Sequence, residues 1–278
     1  MIGFIGSVFS PYYGWAGRRD PHDHCSINVA LYGRGGRWAM TERGAGAVTQ
    51  SADRFEVGPS AMEWRDDGLS IEIDEVAVPH LTRLRGRIRV LPDAMTGIEA
   101  RLDPAGAHVW RPFAPSARIE VAFDRPGWSW TGHGYFDANF GTRALEADFS
   151  DWTWARLPVG DSAATLYDAR RRDGTRLGLA LRFDGAGRAE PFVPPPAAPL
   201  PRSFWGLSRG VAADPGHAPR QRLAMLDVPF YTRSMVSTRL GGAETLGVHE
   251  HLDLDRFKSP LLKPLLALRM PRRRGGRA

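Results

Sequence analysis

Short strand-like runs separated by turn residues fill almost the whole of this 278-residue chain, and they constrain its fold more than any other feature. In "LSIEIDEVAV" (residues 69–78) apolar and polar side chains alternate, which is typical of a strand with one buried and one solvated face. The pair Asp67-Gly68 stands directly before this run and is a strong hairpin signal. Two further hairpin turns are predicted at residues 173–174 and 184–185, where Asp-Gly recurs.

Helical periodicity is nearly absent, and only the leucine-rich stretch near the C-terminus favours a short helix, which Pro264 is expected to interrupt. Many short, evenly spaced strands indicate antiparallel barrels or sandwiches, and the length suggests two of them. The sequence therefore predicts an all-β protein. We expect an N-terminal β-sandwich or barrel domain over residues 1–109, a C-terminal barrel domain over 110–259, and a basic leucine-rich tail over 260–278.

The composition is that of an ordinary globular protein, with 42% hydrophobic and 24% charged residues. The single cysteine, Cys25, excludes an internal disulfide and favours a reducing compartment. The opening string "MIGFIGSVFSPYYGW" lacks the basic region and the cleavage site of a signal peptide, so we interpret it as a buried segment. Only two of the 37 basic residues are lysines, and this bias makes the high isoelectric point a poor indicator of nucleic-acid binding.

The charge is concentrated at the C-terminus. From Pro260 onward the chain has no acidic residue and six basic ones, which equal the whole net charge of +6. Leucines joined to an arginine cluster suit a membrane surface, because apolar burial and attraction to anionic lipid add. A frayed basic terminus is the alternative interpretation.

Several kinds of site find little support. The pairs His22/His24 and His249/His251 each share a strand face and could converge on zinc, but neither string matches a known ligand spacing, so no metal is predicted. No G-x-S-x-G elbow and no phosphate-binding glycine loop is present, which argues against a serine hydrolase or a nucleotide enzyme. A glycosidase-like pair of carboxylates stays open.

An aromatic-rich set between residues 108 and 154 remains. In "SWTGHGYFDANFG" the residues His133, Tyr135, Asp137 and Asn139 share one side of a strand. An acid among indole and phenol rings has a specific use, because apolar walls keep it protonated and ring faces stabilise the carbocation formed when it protonates an alkene. The alternative is that tryptophans fill the core and Asp137 caps a turn.

Several strings resemble one known family, the acyclic carotenoid 1,2-hydratases. They are "GFIGSVFSPYYGWAGRRDPHDHCSINVALYG", "RWAMTER", "HVWRP", "GHGYFDANFG" and "PFYTRSMVSTRLGG…GVHEHLDLDRF", and together they cover nearly the whole chain up to Phe257. The resemblance implies a lipocalin-like fold and cofactor-free addition of water to the terminal C1=C2 bond of a linear carotene such as neurosporene or lycopene, giving a tertiary alcohol. A lipocalin-like polyene-binding protein and a lipocalin-like cyclase are the alternatives.

The family's motifs imply the roles of individual residues. Its H-x-W pair falls on His108 and Trp110, and its Y-x-D pair falls on Tyr135 and Asp137. We expect Asp137 to protonate C2, Trp110 and Tyr135 to stabilise the cation, and His108 to orient the acid or deprotonate water. The expected substrate-binding residues are Trp130, His133 and Phe113, with His133 also a candidate partner of the acid.

The same resemblance sets the expected partners. They are an acyclic carotene, water and a membrane surface bound through the tail, with no cofactor, metal or nucleic acid. The expected location is the cytoplasmic side of the inner, photosynthetic membrane. The sequence does not indicate an oligomeric state or the preferred carotene.

Overall fold

The structure is a computed structural model, and it describes residues 1–273. The strands up to residue 92 are β1 Ile2–Ile5, β2 Cys25–Leu31, β3 Arg37–Ala39, β4 Glu42–Arg43, β5 Val48–Gln50, β6 Arg54–Val57, β7 Ser60–Arg65, β8 Gly68–Val76 and β9 Arg83–Pro92. The later strands are β10 Ala100–Arg101, β11 His108–Arg125, β12 Trp128–Gly141, β13 Phe149–Val159, β14 Ser162–Arg171, β15 Arg176–Phe183, β16 Ala189–Pro191, β17 Ala197–Leu200, β18 Arg209–Ala212, β19 Arg220–Val228, β20 Tyr231–Leu240, β21 Ala243–Asp253 and β22 Arg272–Arg273. The helices are α1 Pro11–Trp15, α2 Leu145–Asp148, α3 Leu254–Phe257 and α4 Lys263–Arg269, with 3₁₀ turns at Pro21–Asp23 and Ala45–Ala47.

The described chain divides into two compact units. Unit 1 comprises residues 1–92, residues 117–134 and the chain from residue 260, whereas unit 2 comprises residues 93–116 and 135–259. The division predicted after residue 109 falls inside β11, and the chain after residue 260 belongs to unit 1. The predicted domain limits stay a prediction.

Unit 1 contains two mainly antiparallel sheets. One sheet has the order β1-β2-β4-β22, with β3 also paired to β2, and its β22–β4 pair is parallel. The other has the order β5-β6-β7-β8-β9 and continues from β9 onto residues 117–125 of β11. In β8 the apolar side chains of Leu69, Ile71 and Ile73 are buried, as their alternation predicts.

The hairpin predicted at Asp67-Gly68 is confirmed, with its turn one residue earlier. Arg65 pairs with Gly68, so the turn is made by residues 66–67 and Gly68 already belongs to β8. A side chain at Gly68 would place its Cβ 2.2 Å from the carbonyl oxygen of Val90. The glycine is therefore needed for close strand approach and not for the turn itself.

Unit 2 is organised around a seven-stranded antiparallel sheet with the order β16-β15-β14-β13-β21-β20-β19. The hairpin β17–β18 covers one face of this sheet. Apolar side chains of both layers meet there in a core formed by Ala155, Leu157, Ala164, Leu200, Val211, Ala212, Val236 and Leu240. Because side chains alternate along a strand, the intervening residues of β13, β14, β20 and β21 lie on the opposite face.

Within unit 2, β10 pairs with β11, and Ala100 lies opposite Trp110. β12 pairs with β11 as a hairpin. The part of β12 within unit 2, residues 135–141, carries Tyr135 and Asp137, which contact side chains of β11 and of the large sheet's opposite face. This opposite face is where the candidate site lies.

The all-β, antiparallel fold class is confirmed, and none of the sheets described in residues 1–273 closes into a barrel. The expectation that Pro264 interrupts the C-terminal helix is wrong. Pro264 lies in the first turn of α4, where its missing N–H has no intrahelical role. None of the helices in the described part of the chain is long and apolar enough to cross a membrane.

Candidate active site

The centre of the site is a carboxyl group that receives hydrogen bonds from neutral donors. The indole Nε1 of Trp110 donates to Oδ2 of Asp137 at 2.7 Å. The hydroxyl of Tyr135 also bonds to this carboxyl, and the Trp110 indole lies 3.4 Å from the Tyr135 oxygen. Trp110 is fully buried on β11, whereas Tyr135 and Asp137 are half-buried two residues apart on β12. Strand alternation therefore points the Y-x-D pair at one indole.

Aromatic side chains of the large sheet surround this group. The Tyr135 ring lies 5.2 Å from the Trp154 ring, and the Trp110 ring lies 5.7 Å from the Tyr167 ring. Tyr167 in turn packs against Trp152 at 5.5 Å. Trp154 and Tyr167 are direct cross-strand partners on β13 and β14, and Trp152 shares their face. The carboxyl therefore lies at a cluster of five aromatic rings, two of which bond to it directly, and the π faces of such rings favour a positive charge.

The surroundings of Asp137 shift its acidity. Burial raises the pKa of this carboxyl to about 6, because an ionised group loses hydration there. The hydrogen bonds from Tyr135 and Trp110 oppose this shift, since they stabilise the anion. A group with a pKa of about 6 is protonated in roughly one molecule in ten at pH 7. The free protein thus holds a weak acid that ionises within the physiological range.

Both tyrosines of the site stay neutral. Burial is the largest cause that raises the pKa of Tyr135 and of Tyr167, and the negative charge of Asp137 adds to it in each case. Their hydroxyl groups consequently serve as hydrogen-bond donors at neutral pH. The Tyr167 hydroxyl lies 3.4 Å from Oδ1 of Asn139, a third residue on the same side of β12.

His108 lies two residues before Trp110 on β11 and is fully buried. Its Nε2 is 2.8 Å from Oδ2 of Asp148 at the end of α2, and its ring packs against Phe149 at 5.1 Å. The histidine therefore connects β11 with the segment that leads into β13. Its described hydrogen bond goes to Asp148 and not to Asp137.

The three expected substrate-binding residues are placed differently. Phe113 stacks on Phe136 at 5.4 Å within unit 2. Trp130 is 41% exposed and His133 is also exposed, and both belong to the part of β12 that lies in unit 1. The structure therefore brings Trp110, Tyr135 and Asp137 together, and it gives His108, Phe113, Trp130 and His133 separate surroundings.

Sequence reasoning did not single out four residues of this region, namely Tyr167, Arg156, Arg233 and Glu250. The Arg156 guanidinium lies 5.8 Å from the centre of the Tyr135 ring. Glu250 is buried, is ion-paired with Arg233 and lies opposite Trp154 on the neighbouring strand. The register between β13, β14 and β21 was the missing information, because it alone brings these residues beside the tryptophans.

Each histidine of the two H-x-H pairs has its own protein partner. His22 bonds to Gln50, and His24 lies 2.9 Å from Glu42 in unit 1. In unit 2, His249 bonds to the carbonyl of Gly210, and His251 lies 3.3 Å from Thr153. In residues 1–273, no three His, Cys, Asp or Glu side chains are grouped so as to hold a metal ion.

Cys25 is fully buried, and this burial raises the pKa of its thiol to about 11. The thiol therefore stays protonated at neutral pH, and a thiolate nucleophile at this position is disfavoured.

An open antiparallel scaffold with one half-buried acid among aromatic rings defines a lipocalin-like all-β protein with an acid–aromatic site. The model of the family "carotenoid hydratase CrtC" matches residues 1–278 of the chain. The chain belongs to this carotenoid hydratase family.

Named relatives agree with this placement. The chain is 56% identical to the acyclic carotenoid 1,2-hydratase of Cereibacter sphaeroides, with 99% of both chains covered. It is 50% identical to the protein of the same name from Rhodobacter capsulatus, over 99% of this chain and 98% of the relative. Among solved structures, a putative AttH from Nitrosomonas europaea matches with a TM-score of 0.59 at 14% identity, covering 83% of this chain and 81% of that one. This last likeness concerns the fold alone.

Proposed function

We propose that the chain adds water to the terminal C1=C2 bond of an acyclic carotene and produces a tertiary 1-hydroxy carotenoid. Two relatives that match over nearly their whole length carry the name acyclic carotenoid 1,2-hydratase. The observation that carries the proposal is the Asp137 carboxyl, which accepts the Trp110 N–H at 2.7 Å and has its pKa raised to about 6. A protein that only binds a polyene gains nothing from an acid in this position.

The reaction begins with proton transfer from Asp137. The π electrons of C1=C2 form a new C–H bond at C2 with the carboxyl proton, and the positive charge is left at the tertiary carbon C1. The carboxylate that remains keeps its hydrogen bonds from Trp110 and Tyr135. A bound carotene displaces water from the half-buried carboxyl, and this displacement raises its pKa further and favours the acid form.

The surrounding rings stabilise the cation. The ring faces of Tyr135, Trp154 and Tyr167 carry the negative quadrupole that attracts a positive charge, at about 0.5–2 kcal/mol for each contact. No nucleophilic side chain is required, because the cation only has to persist until water reaches C1.

Water completes the reaction. Its oxygen forms the C1–O bond, and the proton it loses returns to the Asp137 carboxylate, so that one water is added and the acid is regenerated. The cycle balances without a cofactor. His108 contributes by positioning Trp110, in accordance with its place on the same strand face and its hydrogen bond to Asp148. Phe113, Trp130 and His133 contact the polyene in this proposal.

The test is co-expression with lycopene biosynthesis, followed by chromatography and mass spectrometry of the extracted pigments. Wild type should give a product heavier by one water, and Asp137→Asn should lower its yield roughly 10³–10⁴-fold with an unchanged circular dichroism spectrum. Asp151→Asn is the control, since this residue lies elsewhere on β13 and is paired with Arg170. Full activity in Asp137→Asn contradicts the acid role, a ring-closed product supports the cyclase, and bound but unchanged lycopene supports a carrier.

We also propose that the protein binds the cytoplasmic membrane surface through α4. Leu265 and Leu268 of α4, together with Leu261 just before this helix, follow helical spacing and are 55%, 74% and 81% exposed. Trp15 of the neighbouring α1 is 58% exposed. Each CH₂ moved from water into lipid contributes about 0.8 kcal/mol, so a carotene stays in the bilayer and its enzyme benefits from lying there.

Three of the six basic residues of this segment provide no evidence for lipid contact. Arg272 is not free to meet lipid, because it is ion-paired with Glu42 and, at 2.7 Å, with Asp23. Two residues of the expected arginine cluster, at positions 274 and 277, lie outside the described residues. The exposed leucines therefore provide a cleaner test of membrane binding than removal of the segment.

Replacing Leu261, Leu265 and Leu268 with serine should weaken co-sedimentation with anionic phospholipid vesicles at least about tenfold. The matched control replaces three exposed apolar residues elsewhere, Leu81, Val193 and Leu246, which are 75%, 94% and 52% exposed. Equal vesicle binding by both triple variants contradicts this attachment.

A further inference from the structure

A buried ion pair lies on the aromatic face of the large sheet in unit 2. Arg233 on β20 contacts Oε1 of Glu250 on β21 through Nη2 at 2.7 Å and Nε at 2.8 Å. Glu250 is only 8% exposed. Burying two opposite charges costs about as much as their attraction returns, so apolar residues would serve packing equally well here. The pair therefore calls for an explanation beyond stability.

The strand register shows which end of the pair points toward the site. A single row crosses four strands, with Tyr167 opposite Trp154, Trp154 opposite Glu250, and Glu250 opposite Arg233. Neighbouring strands are about 4.8 Å apart. Glu250 is thus one strand nearer than Arg233 to Trp154, whose ring packs on Tyr135. The ion pair is a dipole with its negative end directed to the acid–aromatic site.

The effects of these two charges on the pKa of Asp137 agree with their positions. The charge of Glu250 raises the pKa of Asp137, while that of Arg233 lowers it by a smaller amount. Glu250 also raises the pKa of Tyr135 and of Tyr167. Arg156 of β13 is a further charged group near this cluster, over the Tyr135 ring. The effect of the pair must therefore be isolated by changing Arg233 and Glu250 alone.

We propose that Glu250, ion-paired with Arg233, is a positioning residue that places a negative charge behind the aromatic wall, where it favours the proton on Asp137 and stabilises positive charge developing at C1. This inference rests on the proposed function. The two carboxyl groups of this region have different partners, since Asp137 receives hydrogen bonds from neutral donors whereas Glu250 is paired with a guanidinium.

The experiment replaces the whole pair with apolar residues of similar size, Arg233→Met with Glu250→Met, so that no unpaired charge is left in the protein. Removing the negative end makes the Asp137 anion less costly. The alkaline limb of kcat/KM against pH should therefore move down by about 0.5–1 pH unit. Activity at pH 7 should fall about 3–10-fold and recover at lower pH, with KM within about twofold. Glu250→Gln should shift the limb in the same direction.

A matched control exists in unit 1. Arg43 and Glu75 form another buried pair, with contacts of 2.8 and 2.9 Å. Arg43→Met with Glu75→Met removes a comparable pair away from the site, and it should leave the pH limb in place. An unmoved limb in the Arg233/Glu250 double variant, or an equal shift in the control, overturns the proposal.

A second readout separates this inference from the proposed function. The Asp137 carboxyl can be titrated without substrate by ¹³C NMR of aspartate-labelled protein, with its signal assigned through Asp137→Asn. The same downward shift should appear there. A shift without hydratase activity in the wild type refutes the proposed function and leaves the electrostatic role standing, whereas activity without a shift refutes the electrostatic role alone.

Discussion

Glu42 and Glu75 of unit 1 have surroundings opposite in kind to those of Asp137 in unit 2. In unit 1, Glu75 receives both guanidinium nitrogens of Arg43, and Glu42 contacts Arg272 and His24. In unit 2, the described side chains that hydrogen-bond to Asp137 are the neutral Trp110 and Tyr135. The glutamates therefore have a positively charged partner, whereas Asp137 has neutral hydrogen-bond partners and a pKa raised by burial. Burial of an acid by itself does not indicate a site; burial without a countercharge does.

The Glu42 cluster and Asp137 also differ in what they contribute to the fold. The Glu42 cluster holds segments of unit 1 that are distant in sequence, since Arg272 lies on β22 beside β4 and Ser10 donates its hydroxyl to the same carboxylate. Asp137 does not connect segments that are comparably distant in sequence. Its environment is costly for the folded state at neutral pH, which is the pattern expected where function conflicts with stability.

The largest expected effect on stability comes from removing the countercharge of Glu75 in unit 1. Arg43→Met should destabilise the protein by about 3–5 kcal/mol, because Glu75 is then left buried with only the Ser60 hydroxyl as a side-chain donor. Chemical denaturation measures this loss, and kcat of the folded fraction should be unchanged. A cost below about 1 kcal/mol would show that the pair is not the main support of this carboxylate.

A substitution in unit 2 should act in the opposite direction. Asp137→Asn should stabilise the protein at pH 8, on the order of 1–3 kcal/mol. The folded pKa of about 6 lies above the ordinary 3.8, so ionisation of Asp137 costs stability as the pH rises from about 4 through 6. The stability curves of the variant and the wild type should therefore coincide below pH 4, separate between pH 4 and 6, and differ by a constant amount above pH 6.

Glu75→Gln is the matched control for this prediction, since it also converts a buried carboxylate to an amide and should instead destabilise the protein. Parallel stability curves of the wild type and Asp137→Asn over pH 4–8 would show that Asp137 titrates normally.

The smallest expected effect concerns Trp110, one of the two neutral donors to Asp137. Trp110→Phe removes the N–H that bonds to Asp137 at 2.7 Å and keeps a ring in the same place. Because this bond stabilises the anion, its loss should raise the pKa of Asp137 and move the alkaline limb of activity to higher pH. The lost orientation should lower kcat about tenfold.

The control for the indole is Trp152→Phe, which alters the same aromatic wall at a residue that packs on Tyr167. It should leave the position of the pH limb unchanged. A limb that moves equally in both variants would mean that ring packing, and not the hydrogen bond, sets the acidity of Asp137.

Local patterns predicted much of this molecule. Alternating runs such as residues 69–78 indicated strands with one buried face, and β8 has that face. The Y-x-D spacing placed Tyr135 and Asp137 on one side of a strand, and both reach the same cluster. Predictions of this kind succeed because side-chain alternation is a property of the strand itself and needs no knowledge of its neighbours.

These local patterns could not predict which distant strands pair with one another. Asn139 lies within β12, and its contact with Tyr167, 28 residues away, depends on the packing of distant strands. Pro264 looked like a helix breaker, although the helix begins beside it.

The sequence by itself determined the β-strands, their faces and the motifs that carry the family resemblance. Only the tertiary structure decided that Trp110 donates to Asp137, that Glu250 lies beside Trp154, and that Arg233 lies behind it. The physical reason is that these contacts depend on which strands pair and in which register. Strand pairing and register are selected by the burial of whole sheets. The pKa of Asp137, in contrast, depends on the distances of a few ångströms to its neighbours that this pairing determines.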